Sequence, residues 1–571
     1  MNPIMSGTLP RRAHQLRRLR DVWVVLVISL TTAISVGLSA GCGGDGTPGD
    51  ELPDGGVLPD GGVLPDGGLP PFAFARCDAS RGPLPPLIED RRVYAQDTLG
   101  VWTADVTVTD LDAFAAVNAG VPGAEVPVTF TDGTFGAGAT MPNAMLRIRG
   151  GFSRFNLQKN YKIELNDDIG RWHNQKEINL NKHMNDLTRV RNKMAFDLFQ
   201  TIPDFTSLRT QFVNLRVNGQ DYGLYTWIEE ADKRFLQSHG LDPDGQLYKP
   251  VGFGFSSIAP ATAADPEAFR LIVESKANAD DAKFLRMNAA VNDRVRDIDD
   301  IVDTYFDREN LTTWLAVNIL LNNIDTRTQN YYLYSPSSCD GWYLLPWDYD
   351  GAWGFYGQLH ADNRERWESG LSNWWTMNLP ERFITKPANV AAVHAKVLEL
   401  SGGTLTDELV AARIASYRAH VRPFISRAPD LQHIPGHFGN SPPAHAVELW
   451  EGELTRITST PSRFLAEYQQ VIERPMPVFL ATQPVAGGVK FRWDASFDLQ
   501  HDPLAYHLQV SRSTGFGAGD LVIDRAVGDT TESVAMGLAP GMYYWRVVIR
   551  DTAHPDAWQL PFHPYDVVVV P

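Results

Sequence analysis

Residues 311–350 tie two acidic clusters to one short hairpin, and that arrangement limits what the chain can fold into. Residues 311–321 include Trp314, Leu315, Val317 and Leu320 and predict an apolar helix. It runs straight into Asn322-Asn-Ile-Asp325, and Asn330 follows. Two strands are predicted next, over residues 331–334 and 342–345, and their return brings Asp348 and Asp350 back toward Asn330. Each part alone is common: Asn-Asn-Ile-Asp reads as a helix C-cap and turn, and Trp-Asp-Tyr-Asp as a solvated loop. The order of all the parts is more specific. It is the order in which phosphoryl transfer sets an acceptor carboxylate, then a carboxamide and a carboxylate for a divalent cation. Asp325 is accordingly expected to accept or orient a substrate hydroxyl. Asn330 and Asp348 are expected to ligate Mg²⁺ (or Mn²⁺), with Asp350 a further metal contact; hard oxygen donors suit such an ion.

The upstream half offers the groups that hold phosphates. Strand-like alternation begins near Val101, and a Gly-rich turn, Arg149-Gly-Gly-Phe-Ser-Arg154, precedes a strand over residues 161–165. Gly150, Gly151 and Ser153 would let backbone amides approach phosphate. Lys162 is the expected phosphate contact, with Lys159 its rival; the flanking Tyr161 and Ile163 do not settle which face is buried. Asn218-Gly219 between apolar runs predicts a hairpin. The hairpin ends at Glu229-Glu230, where Glu229 is expected at a hinge beside the adenine. A helix is predicted over residues 187–198, capped by Asn185 or Asp186. It carries Arg191, Asn192, Lys193 and Asp197, and no Glu of the kind an ordinary kinase keeps there. Beyond Glu229 the pattern is mostly helical as far as residue 472.

These motifs resemble the CotH family, atypical kinases named for a spore coat protein. The likeness rests on Arg147-Ile-Arg-Gly-Gly-Phe-Ser-Arg154, Lys159-Asn-Tyr-Lys162, Arg191-Asn-Lys193 and Val217-Asn-Gly-Gln-Asp-Tyr-Gly-Leu-Tyr225 with Glu229 or Glu230. It continues through Asn330-Tyr-Tyr-Leu-Tyr334 and Pro346-Trp-Asp-Tyr-Asp350. The resemblance covers about residues 100 to 430 in family order. It implies an α+β, two-lobed kinase-like fold, ATP with Mg²⁺, and phosphorylation of protein Ser or Thr. The family's two essential acidic positions fall on Asp325 and Asp348. Gly150-Gly151 stands where Gly-Asn is common.

Four segments are expected. Residues 1–42 read as an export signal: arginines from Arg11 to Arg20, an apolar run over residues 22–38, then Ser39-Ala-Gly-Cys42. A small residue before Cys42 resembles a bacterial lipoprotein signal, with Ser39 where Leu is usual. The chain would then be exported and lipid-anchored through Cys42 in the cell envelope; a plain membrane anchor is the other reading. Residues 43–76 repeat Leu-Pro-Asp-Gly-Gly and have too little apolar surface to fold, which suits a tether. Residues 77–474 form the kinase-like domain. Residues 475–571 alternate with period two and resemble a fibronectin type III module, with Tyr-x-Trp-x-Val from Tyr543. Cys77 and Cys339 either pair or stay as two buried thiols.

The formal charge of −17 disfavours nucleic acid as a partner. The second class of function is a catalytically silent kinase-like surface protein that binds or adheres, since export removes the chain from cytosolic ATP. A zinc hydrolase is disfavoured because no His-rich motif accompanies Asp348.

Overall fold

Alternating side chains between residues 101 and 228 form seven strands. They are β1 (Val101–Val108), β2 (Glu125–Thr131), β3 (Ala144–Ile148), β4 (Tyr161–Leu165), β5 (Glu177–Asn181), β6 (Thr210–Val217) and β7 (Gln220–Ile228). The computed structural model describes residues 84, 86–95, 99–358, 362, 364–434 and 445–571. In it these strands close into a barrel in the order β1-β2-β3-β4-β5-β7-β6, with β1 and β6 parallel at the seam. Val106, Val126, Leu146, Ile163, Leu180 and Leu215 fill its interior. On β4, Tyr161 and Ile163 are buried and Lys162 faces out, which settles the face that the flanking residues left open.

The helix Arg191–Phe199 lies between β5 and β6 in sequence, and all nine of its residues are buried. Its charges are paired rather than solvated. Arg191 holds Asp186 and Glu453, and Lys193 Nζ lies 3.0 Å from Asp197. The predicted start at residue 187 is displaced to Arg191, because Asp186 caps Thr188 and Arg191 N–H groups in the preceding loop.

Past Glu229 the chain is less helical than its pattern predicts. β8 (Gln246–Pro250) and β9 (Val273–Ala277) join β10 (Tyr331–Ser335) and β11 (Tyr343–Pro346) in a sheet ordered β11-β10-β8-β9. Both new strands break the alternation that would reveal them, β8 with adjacent Leu247 and Tyr248 and β9 with the polar run Glu274-Ser-Lys276. The helix Arg308–Leu320 packs beneath, buried on every side from Asn310 onward. Helices Pro387–Gly402, Asp407–Ile425, Ala446–Thr458 and Thr460–Val471 extend the same core. Asp430 ties this region to the barrel: it accepts the Leu224 N–H at 2.7 Å and pairs with Lys182 at 2.7 Å.

The C-terminal strands form two sheets over one core. β12 (Leu480–Val485), β13 (Gly488–Trp493) and β16 (Glu532–Met536) make the first. β15 (Leu521–Gly528), β14 (Leu504–Ser511), β17 (Gly541–Asp551) and β18 (Trp558–Gln559) make the second, with β19 (Asp566–Val570) paired to β17. Phe491, Leu508, Trp545 and Val547 lie between them.

The signal-like residues 1–42, Cys42, the repeats of residues 43–76 and Cys77 lie outside the described residues. Cys339 is disulfide-bonded, which excludes a free thiol there. Among the described residues no helix is long and apolar enough to cross a membrane.

Candidate functional site

The register of the β10–β11 hairpin pairs Tyr331 with Pro346 and so sets the flanking loops against each other. Asn322, Asn330 and Asp348 all have left-handed backbone, with φ of 46°, 62° and 53°. Asn and Asp tolerate that region better than other non-glycine residues, at a cost of order 1 kcal/mol each. The turns that these residues make bring the carboxylates into one place. Asp325 sits on the turn Ile324–Thr326, and Asp348 opens the turn Tyr349–Gly351. A Cβ on Gly351 would lie 3.0 Å from the Asp325 Cβ, so the glycine lets the two turns close together.

Asn330 Nδ2 donates to Asp325 Oδ2 at 2.7 Å. Burial, and then the nearby Asp350 charge, push the Asp325 carboxyl up to about 6. Asp348 is raised for the same two reasons in the same order. His183, Asp348 and Asp350 present ligand atoms all within 4.8 Å of one another. His183 Nδ1 lies 3.2 Å from Asp350 Oδ2, and its Nε2 lies 3.4 Å from Asn192 Nδ2. Asn192 Oδ1 meanwhile accepts the Tyr349 N–H at 2.9 Å. That bond fixes the amide so that its nitrogen faces His183 Nε2. The histidine proton then belongs on Nδ1, toward Asp350. Burial works against protonation of His183, but contact with Asp350 and the Asp348 charge outweigh it and raise its pKa.

Opposite these groups stands the turn after β3. Gly150 has φ of 88°, and a Cβ there would collide with Ser153 Oγ. Arg149 bonds Asn181 Oδ1 and lies 5.7 Å from the Trp347 ring centre. Lys249 reaches the same ring at 5.9 Å, and burial lowers its pKa. Between turn and carboxylates is a cavity of about 530 Å³.

Seven of the nine sequence-predicted residues line this cavity: Gly150, Gly151, Ser153, Asp325, Asn330, Asp348 and Asp350. Lys162 and Glu229 do not. Lys162 Nζ is held by Glu177, with Glu230 at 3.4 Å. Glu229 is fully buried between Arg209 and His239, at 2.7 and 3.1 Å. The cations that do line the cavity are Arg149 and Lys249, and His183 joins them; neither Lys249 nor His183 carries a spacing signal in the sequence. The signal for Arg149 was its place at the head of the Gly-rich turn.

The donor set fits a hard divalent cation with phosphates. Three carboxylates and a carboxamide converge, two of the carboxylates raised by burial and then by the Asp350 charge, a repulsion that a cation would relieve. Asn185, also on the cavity wall, has a buried Oδ1 with no hydrogen-bond partner.

The sequence model of the family described as CotH kinase protein matches residues 146–460. The chain is similar to Inner spore coat protein H of Bacillus subtilis (strain 168), 25% identical over 267 residues, 44% of this chain and 70% of the relative. Among solved structures it matches the toxin–antitoxin complex of HipA, HipB and operator DNA from Shewanella oneidensis MR-1. That match has 12% identity, 52% of this chain, 60% of that chain and a TM-score of 0.20, too low to argue from.

Proposed function

Because the chain belongs to the CotH kinase protein family, we propose that it is a two-lobed atypical kinase that transfers the γ-phosphate of ATP to Ser or Thr hydroxyls of a protein. The observation that carries this reading is the convergence of Asp325, Asn330, Asp348 and Asp350 beneath the Gly150 turn in one cavity. Asn330, Asp348 and Asp350 would hold Mg²⁺ (or Mn²⁺), which when bound offsets the charge of the phosphates. Asn330 gives its Nδ2 to Asp325 and keeps Oδ1 for the cation. His183 orients Asp350 from behind. Asp325, with a carboxyl near 6, is poised to take the proton of the attacking hydroxyl. Arg149 and Lys249 replace Lys162 as the phosphate-facing cations, and backbone amides at Gly150, Gly151 and Ser153 complete that side.

The rest of the reading rests on sequence. Residues 1–42 support export and lipid attachment at Cys42 in the bacterial envelope, and residues 43–76 a tether. Residues 475–571 resemble a fibronectin type III module; in support, Tyr543 Oη donates to the Ala539 carbonyl at 2.9 Å, the tyrosine-corner contact of such sandwiches. The purified chain, incubated with γ-labelled ATP and Mg²⁺ or Mn²⁺, is expected to label itself or a Ser/Thr-rich protein. Nucleotide binding without transfer would favour the silent surface protein, and neither would sink both the enzyme and its site.

The carboxyl groups also set a pH dependence. Asp325 and Asp348 titrate above their unfolded value of about 4. Their ionisation therefore costs the folded state nothing below that value, and stability is lost as pH rises toward the folded values. A cation that takes the ionised form of Asp348 must compete with its proton as pH falls through that raised value. The Mg²⁺-induced rise in melting temperature is expected to be larger at pH 8 than at pH 5.5. A rise independent of pH would remove Asp348 from the metal site.

A further inference from the structure

A second cluster of metal-ligating side chains lies far along the chain, where the C-terminal sheets meet the last helix. Asp502, from the loop between β13 and β14, joins Asp551 and His554, from the end of β17. Their ligand atoms all fall within 4.8 Å of one another. His554 Nδ1 is 2.7 Å from Asp551 Oδ2, 3.4 Å from Asp502 Oδ2 and 3.9 Å from Glu473 Oε2. One imidazole nitrogen thus faces three carboxylates from three separate segments.

Asp498 supplies the independent observation. It is 3% exposed, and its Oδ1 accepts the N–H groups of Gln500 and Asp502 at 2.9 and 3.0 Å. Its Oδ2 is buried and has no hydrogen-bond partner. Asp498 and Asp502 line one recess of about 310 Å³. A carboxylate oxygen buried without a donor beside a second carboxylate is costly, and a nearby cation lowers that cost.

We propose that Asp502, Asp551 and His554, with Glu473 at the rim, bind a divalent transition cation of the zinc class that pins the C-terminal sheets to the helical domain, beside the buried Asp498 carboxylate. The imidazole selects the class, since calcium and magnesium prefer all-oxygen shells. The site is placed to act as a joint. Glu473 follows the helix Thr460–Val471, whereas the other ligands belong to the C-terminal domain. The same loop already meets that junction, because Met476 N–H donates to the Phe497 carbonyl at 2.8 Å and Gln500 Nε2 to the Ile472 carbonyl at 3.2 Å. Phe497 stacks on Trp375 with ring centres 5.5 Å apart.

The test counts bound metal in the full chain after Zn²⁺ loading and desalting. An Asp348→Asn background removes the other cluster from the count. In that background about one Zn²⁺ per chain is expected, together with slower protease cleavage near residue 474. Adding His554→Gln or Asp551→Asn should weaken Zn²⁺ affinity at least tenfold and restore cleavage. His554 is half-exposed, so its variant folds whether or not the site is real. Absence of Zn²⁺ from the Asp348→Asn chain would overturn the proposal, as would retention in the His554→Gln chain or protection by Ca²⁺ alone.

Discussion

Asp348→Asn is expected to lower γ-phosphate transfer about 10²- to 10³-fold while raising the melting temperature of the metal-free chain at pH 8. The two effects have one origin. Asp348 is held beside Asp350 and near Asp325, partly withdrawn from water, and its carboxyl is raised. Above that raised value the charge destabilises the fold, and a neutral isostere of the same shape removes the penalty. The gain should shrink as pH falls and vanish near pH 4, about where the unfolded carboxyl also protonates. The same substitution removes a ligand from the cation site and abolishes the Mg²⁺-induced stabilisation. Asp325→Asn separates the roles. It should lose activity comparably but keep the Mg²⁺ shift, because Asp325 is assigned the hydroxyl and not the metal. Activity and thermal shift measured together on both variants decide the assignment. Transfer that persists in Asp348→Asn would remove Asp348 from the chemistry, and loss of the Mg²⁺ shift in Asp325→Asn would make Asp325 a ligand.

The acidic loop was legible because its logic is local. Asp325, Asn330, Asp348 and Asp350 lie within one helix–loop–hairpin, and hairpin register alone brings them together. His183 was not legible. Its place depends on Asp350 and Asn192, contributed by a later loop and a helix start, and a lone histidine carries no spacing signal. The alternation of β4 was visible, but Lys162 faces Glu177 on the neighbouring β5, so its charge is spent within the barrel wall. Glu229 failed for a similar reason: Arg209 and His239 meet it only through the β6–β7 pairing and a later turn. The charged helix Arg191–Phe199 is the clearest case. Its sequence allows one apolar face with the charges on the other, whereas the structure buries both by supplying partners from elsewhere in the chain.

That buried pairing makes Arg191 the position where a single substitution should do most harm to the fold. Its guanidinium is fully enclosed and holds two carboxylates, Asp186 beside the helix start and Glu453 from the helix Ala446–Thr458. Arg191→Met keeps much of the apolar volume but leaves both acids short of a cation in a dry setting. Losing one partner of a buried pair costs about 3–5 kcal/mol, far more than an exposed pair such as Lys233–Asp244 would lose. Glu453 keeps Arg456 at 2.6 Å, so the larger share of the penalty falls on Asp186. Chemical denaturation should therefore show a loss of about 3–5 kcal/mol for Arg191→Met. Adding Asp186→Asn should recover part of it, whereas Glu453→Gln should recover less. The damage should also reach the site, because Asn192 follows Arg191 and holds both the Tyr349 N–H and His183. Phosphoryl transfer is then expected to fall even in the fraction that remains folded. A variant that loses less than about 1 kcal/mol would mean that these carboxylates are neutral in the folded chain and that the arginine is not their counter-charge.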